Sequence, residues 1–158
     1  MIDYKDIIAN ELNKHNLTIA VIESQSNGMI ANALLVSKKL DDLFKGSIVF
    51  KNISSVNRFL LLNNYQAIND ENNWNNKYQQ HLSSAAHKYF GCDVLINFVH
   101  FNHQNNQEVS FHLMINQTSY EQTIDLSKVN NNDYVNVVSM MILNKLVELL
   151  VLMHEKQD

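Results

Sequence analysis

The sequence predicts an α/β protein, a three-layer α/β/α sandwich with a mixed β-sheet. Three observations carry this. First, residues 17–22, Leu-Thr-Ile-Ala-Val-Ile, form a mostly apolar run followed by the polar turn Glu23-Ser24-Gln25-Ser26-Asn27-Gly28 and a helical stretch. An apolar run bounded by polar residues suits a strand covered on both faces. Second, helical and strand patterns alternate along the first hundred residues and then give way to a hairpin, the signature of a sheet with parallel and antiparallel parts. Third, the C-terminal stretch presents a broad apolar helical face that needs a sheet or a partner to cover it.

The elements follow in order. Tyr4, Ile7, Ile8 and Leu12 recur at helical spacing, so residues 3–15 form a first helix. The strand 17–22 and its turn come next. Ser26 or Asn27 is placed to cap the helix over 28–36, and Gly28 permits a tight backbone turn. The charged stretch 38–44 reads as a helix end and connection. Residues 47–50, Ser-Ile-Val-Phe, read as a short second strand, and 54–62 as a helix with Val56, Phe59, Leu60 and Leu62 available for packing. Residues 63–76, rich in Asn, Asp and Glu, form the least regular segment, because such side chains compete for backbone groups. Trp74 is its one candidate anchor.

Residues 77–90 return to helix, with Leu82, Ala85, Ala86 and Tyr89 as the buried stripe, and Gly91 sits where a helix end wants left-handed backbone. Residues 93–99 are a third strand. The polar loop 100–107 follows, and then 109–115 and 120–126 alternate as a hairpin around Asn116-Gln117-Thr118-Ser119, a turn without glycine. Asn132 or Asp133 is placed to cap a last helix over 134–154, whose apolar positions include Val138, Met141, Ile142, Leu146 and Leu150. The order is α-β-α-β-α-α-β-β-β-α. No composition shift divides it, so residues 1–158 read as a single domain.

Composition narrows function. The 158 residues are 46% hydrophobic, enough for one sizeable core. A net charge of −4 offers no basic footprint, so nucleic acid is not an expected partner. Cys92 is the single cysteine and cannot close an internal disulfide, which fits a reducing compartment. No stretch reads as both long and apolar enough for a membrane span, and the N-terminus lacks a signal-peptide pattern. A soluble cytoplasmic protein without a membrane partner is the expectation. There are three glycines and no proline, whereas asparagine outnumbers lysine and arginine together about two to one. Scarce glycine leaves few loops able to cradle an anion by close backbone approach.

With the elements in place, the loop residues resemble a family. Glu23-Ser24-Gln25-Ser26-Asn27-Gly28 after the first strand is similar to the Glu-Ser-Cys-Thr-Gly-Gly of the CinA C-terminal domain, the nicotinamide-nucleotide amidase family. Phe50-Lys51-Asn52-Ile53-Ser54-Ser55 stands where that family has Tyr-Ser-Asn-x-x-Lys, and Gly91-Cys92-Asp93 where it has Gly-Ala-Asp. The resemblance spans nearly the whole chain in element order. It implies hydrolysis of the carboxamide of nicotinamide mononucleotide by a serine with a lysine base and a nearby tyrosine. Carried over, the nucleophile position is Ser24, the tyrosine position is Phe50 and the lysine position is Ser55. Glu23, Ser26, Asn27, Gly28 and Asn52 fall in the implied binding motifs. His100 and His103 fall in the loop where the family has Thr/Ser-Gly-Ile-Ala-Gly-Pro, and no glycine stands there. The family's Gly-Asp-Arg falls near Lys128-Val129-Asn130, without an arginine.

A serine hydroxyl is a weak nucleophile until a base takes its proton. General-base help is typically worth about 10²–10⁴-fold, and missing oxyanion donors cost more. The chain is therefore expected to be a degenerate, noncatalytic member that keeps the fold for binding or assembly, with a nucleotide-type small molecule as the ligand class the resemblance implies and no cofactor. The competing readings are an active hydrolase rewired around Ser24 with Lys51 or His100 as base, and an unrelated α/β domain. A lone His100-x-x-His103 falls short of the four ligands of a structural zinc site, so no metal is expected. Glu23 is assigned to fixing the turn through loop amides. Arg58, on a helix, is assigned to a solvated face. The apolar face of 134–154 and Met140-Met141 point to a homo-oligomer.

Overall fold

The structure, a computed structural model, describes residues 3–69, 74–101, 108–127, 129–130 and 132–157. The elements are α1 (Tyr4–His15), β1 (Ile19–Glu23), α2 (Met29–Leu35), a 3-10 turn (Lys38–Leu40), β2 (Phe44–Val49), α3 (Ile53–Leu62), α4 (Asn76–Phe90), β3 (Val94–Phe98), β4 (Glu108–Ile115), β5 (Thr118–Asp125) and α5 (Tyr134–Gln157). The sheet order is β2-β1-β3-β4-β5. β1 lies parallel to β2 and to β3, and β3-β4-β5 run antiparallel, so the sheet is mixed.

Helices cover both faces. Ile19 and Val21 of β1 and Val94, Ile96 and Phe98 of β3 face a core closed by α1, α2 and α5. Ala20, Ile22 and Leu95 face a second core closed by α3 and α4. Every residue of β1 and β3 is buried, which is why these strands read as continuous apolar runs. A central strand covered on both faces removes its whole side-chain set from water. Each large side chain so buried is worth about 1.5–3 kcal/mol.

Several expectations need correction. β2 begins at Phe44, three residues earlier than 47, and ends at Val49. Its pairing starts at Ile19↔Phe44, with an irregularity before Ala20↔Gly46, and Gly46 masks the strand in the sequence. Gly46 has φ +137°, and a Cβ there would stand 3.0 Å from the Phe90 ring. The hairpin turn is two residues, Asn116-Gln117, so β5 begins at Thr118. Neither Ser26 nor Asn27 caps α2; the residue before the helix is Gly28, which makes no side-chain cap.

The expectation that no stretch is long and apolar enough for a membrane span also fails: Tyr134–Met153 reaches that length, with mean hydropathy 1.8. In this fold Val138, Ile142, Leu146 and Leu150 are buried, and α5 packs on α1 and α2. Met140 and Met141, the pair from which self-association is expected, are exposed. Asparagine takes on glycine's work in the turns. Asn16, Asn27, Asn64 and Asn116 all have positive φ, the left-handed region that asparagine tolerates better than other side chains.

Candidate functional site

The parallel strands β1, β2 and β3 deliver their C-terminal ends to one edge of the sheet. β1 connects to β2 on one side and pairs with β3 on the other, so the connections diverge at this edge. Open α/β sheets place ligand crevices at such a point. Three segments meet here: Ser24–Gly28 after β1, Phe50–Asn52 after β2, and Val99–Phe101 after β3.

Ser24 is buried. Its amide donates to Phe98 O at 3.0 Å. Its Oγ accepts from the His100 amide at 2.9 Å and faces Phe98 O at 3.4 Å and His100 O at 3.2 Å as acceptors for its proton. The β1–β3 pairing ends at Glu23↔Phe98, and the Ser24 hydroxyl carries it one step further as a side-chain rung. Among the described residues, all partners of this hydroxyl are backbone groups.

Glu23 is fully buried at the end of β1. Its Oε1 accepts from Ser26 Oγ at 2.5 Å and from Ile30 N at 3.2 Å, and its Oε2 accepts from Ala31 N at 2.9 Å. The carboxylate thus caps α2 from the strand. It meets the unpaired amides and the positive end of the helix dipole, which is what a buried carboxylate needs. Those amides are spent on Glu23 and are closed to a ligand anion. Asn27 at φ +54° and Gly28 at φ +85° make the turn that brings α2 back over Glu23. Gln25 is reached by α5: Tyr134 Oη donates to Gln25 Oε1 at 3.0 Å. Burial pushes the Tyr134 phenol up from its ordinary value.

After β2, Phe50 is buried and packs edge-to-face on Phe59, with ring centroids 5.5 Å apart. Its amide donates to Glu23 O at 2.8 Å. Lys51 is exposed. Asn52 and Ser55 form a reciprocal capping box on α3: Ser55 N donates to Asn52 Oδ1 at 2.9 Å and Asn52 N donates to Ser55 Oγ at 3.4 Å, while Ser55 Oγ also donates to Asn52 O at 2.7 Å. Arg58 is exposed on α3, where it lines a shallow groove with Ser54 and Leu61. After β3, His100 is buried and its amide belongs to Ser24. His103 lies outside the described residues. The structure therefore brings Ser24, Glu23, Ser26 and His100 together, and sets Asn52 and Ser55 at the cap of α3. No group of three or more His, Cys, Asp or Glu suited to a metal occurs among the described residues.

One polar cluster escaped the sequence reading. Asn97, fully buried in β3, donates from Nδ2 to Gln79 O at 2.9 Å and to Ser83 Oγ at 2.7 Å, and accepts the Val99 amide on Oδ1 at 2.9 Å. Ser83 Oγ lies 2.6 Å from His112 Nδ1. Gln79 Nε2 donates to Val99 O at 3.3 Å and to Ser110 O at 3.0 Å. The signal was present: an asparagine inside the apolar run 93–99, and Gln79 and Ser83 one helical turn apart.

No family model matches the chain, and no curated protein matches it. Solved structures do. The competence or damage-inducible protein from Enterobacter asburiae superposes with a TM-score of 0.76 at 16% identity, covering 93% of this chain and 96% of that one. The competence-damaged protein (CinA) superfamily protein from Enterobacter cloacae gives 0.76 at 18% identity, covering 93% and 90%. The competence/damage inducible protein CihA from Agrobacterium tumefaciens gives 0.72 at 12% identity, covering 94% and 96%. The chain has the fold of the CinA superfamily; at these identities the likeness is one of fold.

Proposed function

We propose that the chain is a CinA-like domain that keeps its fold for binding or assembly and has lost nicotinamide mononucleotide deamidase activity. The observation that supports this most directly is the Ser24 hydroxyl. It is occupied by Phe98 O, His100 O and the His100 amide, so no nitrogen base meets it among the described residues. A base is what turns a serine hydroxyl into a nucleophile. The position the resemblance gives to lysine is a helix-capping serine, and the position it gives to tyrosine is a buried phenylalanine. Without a base alone, turnover falls by about 10²–10⁴-fold.

Ammonia release from nicotinamide mononucleotide, measured for the intact chain beside Ser24→Ala, tests this. Both proteins are expected to stay at the no-enzyme background. Release by the intact chain that Ser24→Ala abolishes would overturn the reading and restore Ser24 as a nucleophile.

A further inference from the structure

The cluster behind β3 ends in a titratable group. His112, in β4, is 2% exposed. Its Nδ1 faces Ser83 Oγ, and its Nε2 is buried without a hydrogen-bond partner among the described residues. The hydrogen bonds run in one direction. The Val99 amide donates to Asn97 Oδ1, Asn97 Nδ2 donates to Ser83 Oγ, and the Ser83 hydroxyl is left to donate to His112 Nδ1. This assigns the ring's proton to Nε2 and makes the neutral ring the acceptor at the end of the relay. The other end of the relay is Val99, next to His100, whose amide holds the Ser24 hydroxyl.

We propose that His112 is a pH-sensitive latch on the candidate site: neutral, it anchors the Ser83–Asn97–Val99 relay that holds His100 against Ser24, and protonated, it releases the C-terminal end of β3. Protonation puts a hydrogen on Nδ1, which then cannot accept from Ser83. The hydroxyl loses its acceptor, and the ring, whose Nε2–H already lacks a partner among the described residues, becomes a buried cation. Both effects are costly in a buried site.

The groups around the ring leave that cost largely unrelieved. Glu121 stands directly across from His112 on β5, but it is exposed and its carboxylate accepts from Gln80 Nε2 at 3.2 Å. β3 offers Asn97. α4 offers Ser83, with half-buried His87 one turn beyond. Burial holds the His112 ring below its ordinary value against the pull of Glu121. The latch does not depend on whether Ser24 is catalytic.

Amide hydrogen exchange of Val99 and His100 in the full chain, corrected for intrinsic rates, reads the latch. Between pH 7.5 and 5.5 their protection is expected to fall by up to about tenfold, the limit for one open-state histidine of ordinary pKa. In His112→Phe, which keeps a ring but cannot titrate, protection is expected to be independent of pH. A pH-dependent loss that survives in His112→Phe overturns the proposal, as does unchanged protection in the natural chain. Should His112→Phe not fold, Ser83→Ala decides: it keeps the titrating ring but cuts the relay, so retention of the pH-dependent loss at Val99 overturns the latch and its disappearance supports it.

Discussion

At the scale of single residues, asparagine stands at turn positions where glycine would be expected. Asn116 carries the β4–β5 turn at φ +55°. A Cβ-bearing residue without asparagine's local hydrogen bonding pays about 1–2 kcal/mol in that region. Asn116→Ala is therefore expected to lower stability by about 1 kcal/mol in urea denaturation, and Asn116→Gly to leave it equal or slightly higher. A loss of equal size in both variants would place the effect in the asparagine side chain instead. Cys92 belongs at this scale too. Its thiol is buried and pushed up to about 11 by that burial, so it is a packing residue and not a reactive one.

At the scale of elements, α5 decides the most. Its length and apolar content match a membrane span, yet Val138, Ile142, Leu146 and Leu150 lie in the core under α1 and α2. The opposite side leaves Met140 58% and Met141 43% exposed. Adjacent exposed methionines form an adaptable apolar surface, and this surface motivates the expectation of self-association. Light scattering at micromolar concentration should report a species larger than a monomer, and Met140→Glu should shift it toward the monomer. Because Met140 lies outside the core, that substitution should change stability by no more than about 0.5 kcal/mol. A monomeric natural chain would remove the expectation.

At the scale of the whole molecule, the sheet edge where β1, β2 and β3 end is joined to the polar cluster behind it. Stability should carry the imprint of His112. The ring is held below its ordinary value in the fold, so below about pH 6.5 the unfolded chain binds the proton more readily than the folded one. Stability from this group is complete above that pH and is lost as pH falls toward the folded value. The urea midpoint is expected to drop from pH 7.5 to 5.5 by more in the natural chain than in His112→Phe. Equal drops would assign the pH dependence to other groups.

Element order and the mixed sheet were legible in the sequence, because a 3.6-residue or continuous apolar pattern is a local property of consecutive residues. The turn after β1 was legible for the same reason. Other features depended on partners far along the chain. β2 was read short because Gly46 interrupts its pattern, and its pairing with β1 restores it. The cap of α2 came from Glu23 in the preceding strand instead of from Ser26 or Asn27. The hydrogen-bond partners of the Ser24 hydroxyl came from residues about 75 positions away. The sequence by itself determined which segments are strands and helices and that Ser24 sits at the end of the first strand. Only the tertiary structure decided that its hydroxyl binds the backbone of β3 and that Asn97, Ser83 and His112 stand behind it, since hydrogen-bond partners are chosen by proximity in space and not along the chain.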